Sequence, residues 1–291
     1  MTSSKAKSRS VGCIAIWTRF FVIAVGLPAA TVANAQLVTE CSTTGFCHCI
    51  RQDLKATLDF NVEVLRKMIA GHRAAGKAIG YLSVPISNAG GGYFGVNIDL
   101  SKKVKTEIET RLGAQSVWIL NPGEPEAGVE PAARQLKDLA ALKASGSEYM
   151  YMWTRVLASP GGLGEDFDIF YFVGPSDFGR QMGLTGNGDM SAIDDYFEKR
   201  LATDPGFKAA VDSGQVTKAG FRNYYALRAS TAFSLGAHDE WNIARVLNER
   251  RRGTVKFGVP GQLSVFFDGR SVPLNSFEAP VAPGYAGRCN N

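Results

Sequence analysis

The amino-acid sequence predicts an α/β fold in which a parallel sheet carries helices on both faces. Short apolar runs at residues 78–85, 116–120, 167–173 and 263–267 have the length of buried strands. They are mostly apolar, without the regular alternation that marks a half-exposed strand, and helical patterns separate most of them. Strands of this kind between helices indicate a parallel sheet covered on both sides.

The helices are predicted from apolar side chains that recur every three or four residues. Residues 52–75 place their apolar side chains on one face, and Gly76 provides a stop. Ser101 is the expected N-cap of the next helix, which continues to Arg111. Further helices are expected around residues 147–158, 189–222 and 237–251.

The chain is predicted to contain one main domain, because no repeat or low-complexity linker divides it. We expect a signal peptide at 1–35, a disulfide-bearing segment and helix at 36–77, an α/β domain at 78–272 with a helical insertion at about 185–228, and an extended C-terminal tail at 273–291 tied down by Cys289.

The N-terminus has the order of a secretory signal. Basic residues precede a short apolar run at residues 20–28, and Ala33-Asn34-Ala35 has the form that signal peptidase cleaves. The alternative is a retained membrane anchor, but a spanning helix needs about 20 apolar residues. We therefore expect a mature chain that begins at Gln36, resides in the periplasm or is secreted, and has no stable membrane insertion.

The basic character of the chain belongs largely to this signal. The full sequence has 32 basic and 27 acidic residues, a net charge of +5. Residues 1–35 contain four of the basic residues and no acid, which leaves the mature chain at +1. This balance gives no support for a nucleic-acid partner.

Four cysteines remain after cleavage: Cys41, Cys47, Cys49 and Cys289. An even number in an exported protein indicates two disulfides, and at least one should tie the N-terminal segment to the C-terminal tail. A metal site at Cys47-His48-Cys49 is the alternative, but C-x-C differs from the spacing of structural zinc knuckles. We expect neither a metal nor an organic cofactor.

Polar residues and glycines follow the predicted strands, where ligands bind in open parallel sheets. The candidates for substrate binding at these strand ends are Ser83, Gly92, Tyr93, Asn121, Ser176 and Asp177. The glycines can instead serve only to make tight turns. The common motifs of nucleotide, zinc and serine-hydrolase sites are absent from the sequence.

Three segments resemble the nucleoside 2-deoxyribosyltransferase-like superfamily. They are Tyr81-Leu82-Ser83-Val84-Pro85, Val117-Trp118-Ile119-Leu120-Asn121-Pro122 and Asp168-Ile169-Phe170-Tyr171-Phe172. The family's D-x-G-T-x-x-E-x-G-x-A pattern is matched in part by Gly236, Glu240 and Ala244. Ser234 stands at the pattern's aspartate, Ala237 at its threonine and Asn242 at its second glycine, and about 60 residues separate the third strand from Glu240.

The resemblance implies a Rossmann-like fold, a nucleoside-like small-molecule substrate and a homo-oligomer. It also implies that Glu240 is a nucleophile that attacks the anomeric carbon of the sugar.

The residues around Glu240 support the same chemistry on physical grounds. Cleavage of an N-glycosidic bond passes through an oxocarbenium-like state that a carboxylate traps or stabilises. Asp168, Asp177 and Asp239 are candidates for protonating the base or for binding sugar hydroxyls, and His238 for acid, base or hydrogen-bond donor. Tyr93 and Trp241 are candidates for stacking on a ring of the substrate. The alternative is that residues 238–240 form only the polar first turn of a helix.

Three functions remain open from the sequence. The leading hypothesis is an exported enzyme that hydrolyses or transfers at the N-glycosidic bond of a nucleoside, nucleotide or dinucleotide. The second is a non-catalytic binding protein for a nucleoside-like molecule, which the absence of the family's aspartate at Ser234 favours. The third is a structural or partner-binding envelope protein.

Overall fold

A computed structural model of the chain describes residues 35–87, 92–126, 133–184, 190–252, 261–273 and 279–290. Residues Ala35–Asn291 form one compact unit. The predicted signal peptide, apart from its last residue, and two of the three glycines after the first predicted strand lie outside the described residues.

The central sheet has the order β4-β3-β5-β6-β7. Its strands are β3 (Ala78–Ser83), β4 (Val117–Leu120), β5 (Ile169–Phe172), β6 (Ser264–Phe267) and β7 (Arg270–Ser271). The first four are parallel, and β7 is an antiparallel edge strand. A separate antiparallel hairpin, β1 (Leu37–Cys41) and β2 (Cys47–Arg51), precedes the sheet. The predicted α/β fold with a parallel, Rossmann-like sheet is confirmed.

Helices cover both faces of this sheet. One apolar core joins Tyr81 and Phe170 of the sheet to α1 (Lys55–Ala74), α4 (Gly146–Ala158) and α9 (Leu235–Arg252). The core on the other face joins Leu82 and Tyr171 to α2 (Phe94–Leu112), α5 (Pro175–Gln181), α6 (Ser191–Thr203), α7 (Pro205–Asp212) and α8 (Lys218–Asn223). The short helix α3 (Gly123–Glu126) follows β4. Successive residues of β3 and β5 serve opposite cores because side chains alternate along a strand.

The prediction that Ser101 caps a helix is wrong. α2 begins seven residues earlier, at Phe94, and Ser101 is buried inside it. The Ser101 hydroxyl donates to the Ile98 carbonyl oxygen at 2.8 Å, as serines within helices often do. Val96 and Leu100 extend the apolar face toward the N-terminus, so tertiary packing decides where this helix starts.

Both disulfides predicted from the cysteine count are present. Cys41 pairs with Cys47 across the β1–β2 hairpin, and Cys49 pairs with Cys289, which is 240 residues away. The second bridge joins the N-terminal segment to the C-terminal tail, as expected.

The C-terminal tail is also held by hydrogen bonds to α9. Asp239 accepts from the backbone N–H groups of Gly284, Tyr285 and Ala286 at 2.7–2.9 Å. Asn242 exchanges two hydrogen bonds of 3.0 Å with the backbone of Val281. The tail is therefore an ordered strap along α9 in its described part. Among the described residues, no helix has both the length and the apolarity to cross a membrane.

Candidate active site at the carboxyl edge of the sheet

Glu240 lies in α9 with its carboxyl group against strand β3. The side chain is buried, with a residue exposure of 6%. The Tyr81 hydroxyl donates to Oε1 of Glu240 at 2.5 Å, and the Ser83 hydroxyl donates to Oε2, also at 2.5 Å. Each carboxyl oxygen thus has its own hydroxyl donor, which fixes the plane of the group.

The strand period explains why both donors reach the same carboxyl group. Tyr81 and Ser83 are two residues apart in β3, so their side chains leave the same face of the sheet. The Tyr81 ring packs against Trp153, Phe167 and Phe170, which fixes its hydroxyl beneath α9. Ser83 is the last residue of β3 and lies at the carboxyl edge of the sheet.

This position coincides with the point where the strand order reverses. β4 lies on one side of β3 and β5 lies on the other. The connection from β3 to β4 therefore runs toward one edge of the sheet, and the next connection returns past β3 toward the other edge. In open α/β sheets, ligands bind outside the carboxyl ends of the two strands at such a point. Glu240 contacts Ser83 at the end of β3, and Trp241 packs edge-on against Phe172 at the end of β5, with ring centroids 4.9 Å apart.

Burial gives Glu240 the titration range of a general acid or base. Removal from water raises the pKa of Glu240 to about 7, against the opposing effect of the Ser83 and Tyr81 hydrogen bonds, and the charge of Asp239 raises it further. No basic side chain among the described residues contributes to this pKa. Tyr81 has its own pKa raised well above the ordinary value by burial and by Glu240, so it remains a donor.

The neighbours of Glu240 on α9 have other contacts. Asp239 is fully buried and holds the C-terminal strap. The His238 ring is hydrogen-bonded through Nε2 to the Ala232 carbonyl oxygen at 2.9 Å. These contacts engage the Asp239 carboxylate with the strap and the His238 ring with the backbone of the preceding turn.

Asp168 lies at the other end of the sheet. It precedes β5, and its carboxylate pairs with Arg73 at 2.6 Å and accepts from the Ile79 backbone N–H at 2.7 Å. Ile79 is the second residue of β3, whereas Ser83 is the last. The structure therefore does not bring Asp168 together with Glu240, and this separation corrects the prediction that the two act on one bond.

Ser176 and Asp177 form a second polar cluster beyond β5. Asp177 is fully buried and accepts from the Tyr171 hydroxyl at 2.8 Å and from Arg180 at 2.7 Å. The pKa of Asp177 is raised, and burial is the main cause. Ser176 donates to Asp268 at 2.7 Å. Tyr171 leaves the sheet on the face opposite Tyr81, so this cluster is separate from the Glu240 carboxyl.

Gly92 and Tyr93 pack against the helical insertion. A side chain at Gly92 would come within 2.6 Å of the Tyr224 ring, so this position requires glycine. Tyr93 packs edge-on against Phe207, with centroids 5.1 Å apart. These contacts hold Gly92 and Tyr93 against the helical insertion, directly before α2.

Asn121 is buried at the end of β4. Its amide donates to the Ser101 hydroxyl at 3.0 Å, and its oxygen accepts from the Gly123 N–H at 3.1 Å. The side chain thus supports the turn into α3, at the same edge of the sheet as Ser83.

Tyr81 and Asp268 were not among the site residues predicted from the sequence. Tyr81 was given no role of its own within the first strand and the family-like segment, although its spacing of two from Ser83 places both side chains on one face. Asp268 directly follows β6, so the pattern of polar residues after strands applied to it as well.

A cavity of about 400 Å³ lies between the hairpin, α1 and α4. Lys55, Arg66 and Arg155 line it, but each has an acidic partner: Asp59 pairs with Lys55 at 2.7 Å and with Arg155, and Glu63 pairs with Arg66 at 3.0 Å. Glu40 also lines the cavity and lies 4.0 Å from Lys55, so three acidic side chains balance the three basic ones and the cavity has no preference for an anion.

In the described segments, no group of histidine, cysteine and acidic side chains is arranged to hold a metal ion. Comparison of the chain with protein-family models, with characterised proteins and with solved structures found no match. The chemistry of the site is therefore the basis for assigning a function.

Proposed function

We propose that this protein is an enzyme that hydrolyses or transfers at the N-glycosidic bond of a nucleoside, nucleotide or dinucleotide, with Glu240 as its nucleophile. One observation carries the proposal. The carboxyl group of Glu240 is buried at the switch point of the sheet and is held by one hydroxyl donor on each oxygen. A carboxyl held in this way needs little reorganisation when charge develops beside it.

The geometry supports a covalent displacement. Oε1 is held by Tyr81, two residues inside the strand, and Oε2 by Ser83 at the edge where ligands bind. A carboxylate oxygen that accepts one hydrogen bond retains another lone pair. Oε2 forms a bond to the anomeric carbon while the C–N bond breaks and its electron pair leaves with the base. Water or an acceptor base then displaces the sugar from Glu240 and restores the carboxylate.

The ionisation of Glu240 fits this role. The carboxylate is the nucleophilic form, and with a pKa of about 7 a substantial fraction of Glu240 is ionised near neutral pH. The same burial that raises this pKa strengthens the attraction between the carboxylate and an oxocarbenium-like sugar.

We propose further that the mature protein works in the periplasm or outside the cell. Two disulfides support this, because such bonds persist in oxidising compartments. Intact-mass measurement of the protein purified from a periplasmic or culture fraction tests the proposal. A chain that begins at Gln36 and carries two disulfides is the expected result, and a full-length reduced chain would contradict it.

A non-catalytic binding protein is the second candidate. The low exposure of Glu240 favours a binding protein over an enzyme. A sugar that reacts must reach the carboxyl group of Glu240, and this residue is only 6% exposed. In that case, a ligand stabilises the fold and is recovered unchanged.

The experiment that tests the enzyme is a base-release assay. The mature oxidised protein is incubated with nucleosides, deoxynucleosides, nucleotides and nicotinamide dinucleotides, and free base is measured by chromatography. Glu240→Gln should abolish release while keeping the fold. Glu249→Gln is the matched control, since Glu249 lies on the same helix with its side chain 63% exposed. Equal turnover by Glu240→Gln and the wild type would refute the assignment.

A further inference from the structure

We infer that the substrate of the Glu240 site carries a cationic, pyridinium-type base; the inference rests on the proposed N-glycosidic chemistry. Two features of the site lead to it. Glu240 is a buried acid with hydroxyl partners and no basic one in the described structure. The other acids proposed to assist it are engaged elsewhere.

The leaving group decides whether a second acid is needed. When a neutral purine or pyrimidine departs with the electron pair of the C–N bond, it becomes an anion unless an acid protonates it. A pyridinium nitrogen carries a positive charge before cleavage, so the same electron pair makes it neutral. Cleavage of a pyridinium glycoside thus requires a nucleophile but no proton donor.

The three acids that were candidates for this donor are engaged elsewhere in the described structure. Asp168 is paired with Arg73 at the amino end of the sheet. Asp239 accepts three backbone N–H groups of the strap, and Asp177 is bonded to Tyr171.

The hydrogens of the other candidate donors are also held in hydrogen bonds. The Nε2–H of His238 donates to the Ala232 carbonyl oxygen, so in the neutral ring the other nitrogen, Nδ1, has no hydrogen to donate; the Tyr81 and Ser83 hydroxyl hydrogens both point at Glu240. A proton from either hydroxyl is thus used to hold the nucleophile, and neither is directed at a leaving base.

Charge favours the same class of ligand. Glu240 and Asp239 are adjacent, both buried, and the charge of Asp239 acts on Glu240 without a compensating basic side chain from the described residues. A buried carboxylate is costly unless it is paired with a cation. A pyridinium ring bound beside Glu240 supplies that cation and stabilises the ionised, nucleophilic form.

The reaction balances without an added acid. A Glu240 oxygen bonds to the anomeric carbon, the C–N bond breaks, and its electron pair neutralises the ring nitrogen as the base leaves. Water then attacks the glycosyl ester, the carboxylate is restored, and one proton is released to solvent. The products of hydrolysis are a neutral pyridine, the free sugar hydroxyl and a proton.

A matched ligand pair tests the charge requirement directly. Carbocyclic nicotinamide mononucleotide cannot form an oxocarbenium ion, and its oxidised form is cationic on the ring whereas its dihydro form is neutral there. By calorimetry at about pH 8, the wild type and Glu249→Gln should bind the oxidised form at least about tenfold more tightly. Glu240→Gln should bind the two forms within about twofold of each other. A wild type that binds both forms equally would overturn the inference.

Turnover separates this inference from the proposed function. The oxidised wild-type protein is assayed with nicotinamide mononucleotide and with inosine, a neutral nucleoside. Release of nicotinamide at least about 100-fold faster than hypoxanthine supports the inference, because protonation of a leaving group contributes about that much or more. Comparable release of both bases would overturn the inference and leave the proposed function standing. If neither base is released and Glu240→Gln binds the ligands as the wild type does, both the inference and the proposed function are overturned.

Discussion

The Tyr81 hydroxyl donates to Glu240 at 2.5 Å across a sequence separation of 159 residues. β3 supplies the tyrosine and α9 supplies the acid, so the contact exists only when α9 packs on the completed sheet. Because the pKa of Tyr81 is raised well above its ordinary value, its hydroxyl stays protonated over the pH range in which Glu240 titrates. The pair therefore links the packing of the last helix to the ionisation of the proposed nucleophile.

The pH dependence of turnover should follow Glu240. The carboxylate is the nucleophilic form, and its pKa is about 7. We expect kcat/KM to fall about tenfold for each pH unit below about 7 and to level off above it. A pH profile of base release measures this, and a rate that is constant from pH 5 to pH 8 would exclude Glu240 as the titrating nucleophile.

Ser83→Ala should move that titration to higher pH. The Ser83 hydrogen bond lowers the pKa of Glu240, so its loss favours the protonated acid. Carbon-13 NMR of labelled glutamate δ-carbons, with Glu240→Gln to assign the signal, measures the pKa without an activity assay. Ser101→Ala is the control, since Ser101 is equally buried and bonds to Ile98 instead. A Glu240 signal that titrates identically in the two variants would contradict the expectation.

Glu240→Gln should remove a pH dependence from the stability of the fold. The pKa of Glu240 is about 7 in the folded protein, against an ordinary 4.5. At a pH between those two pKa values, Glu240 is protonated in the folded state and ionised in the unfolded state. The stabilisation is complete below about pH 4.5 and is lost as the pH rises through about 7, and it amounts to roughly 3 kcal/mol.

Urea unfolding of both proteins at several pH values measures this effect. The free energy of unfolding of the wild type should fall relative to Glu240→Gln between about pH 5 and pH 8. Parallel curves for the two proteins would show that Glu240 titrates normally.

The sheet was predictable because each parallel strand is apolar on both faces and the pattern is local. Residues 167–173, for example, contain β5 (Ile169–Phe172), and the polar residues after it do form a cluster. The β1–β2 hairpin was missed because β2 reads Cys-His-Cys-Ile-Arg, which has no apolar alternation. Its pairing depends on the register with β1 and on disulfides whose partners the sequence does not specify.

The candidate site was predictable only one residue at a time. Glu240 was identified from a short pattern, but its partners depend on where α9 lies on the sheet. Asp168 was expected to assist it as a second acid, yet Asp168 precedes β5 and Ser83 ends β3, at opposite edges of the sheet. The sequence shows whether a residue precedes or follows a strand, and this distinction is enough to separate Asp168 from the residues at the carboxyl edge.

Asp239→Asn should loosen the C-terminal strap. The carboxylate accepts three backbone N–H groups, whereas an asparagine has one acceptor oxygen and would turn an N–H toward another donor. We expect a loss of about 2 kcal/mol in stability and faster hydrogen exchange at residues 284–286. Asp168→Asn serves as a control on a partly exposed acid at the far edge. Unchanged exchange at residues 284–286 would show that the strap is held without Asp239.

The two disulfides should differ in their contribution to stability. Cys49–Cys289 closes a loop with a sequence separation of 240, and Cys41–Cys47 closes one of 6. In the chain-entropy description, the longer loop removes more freedom from the unfolded chain, by about 3 kcal/mol. Paired Cys→Ser variants of each bridge, compared by urea unfolding, measure the difference.

Loss of the long bridge should also raise hydrogen exchange in the strap, because Asp239 and Asn242 then hold it without a covalent anchor. Equal losses in the two variants would mean that the tail remains associated with α9 in the unfolded chain, or that the hairpin bridge is needed for β1 to pair with β2.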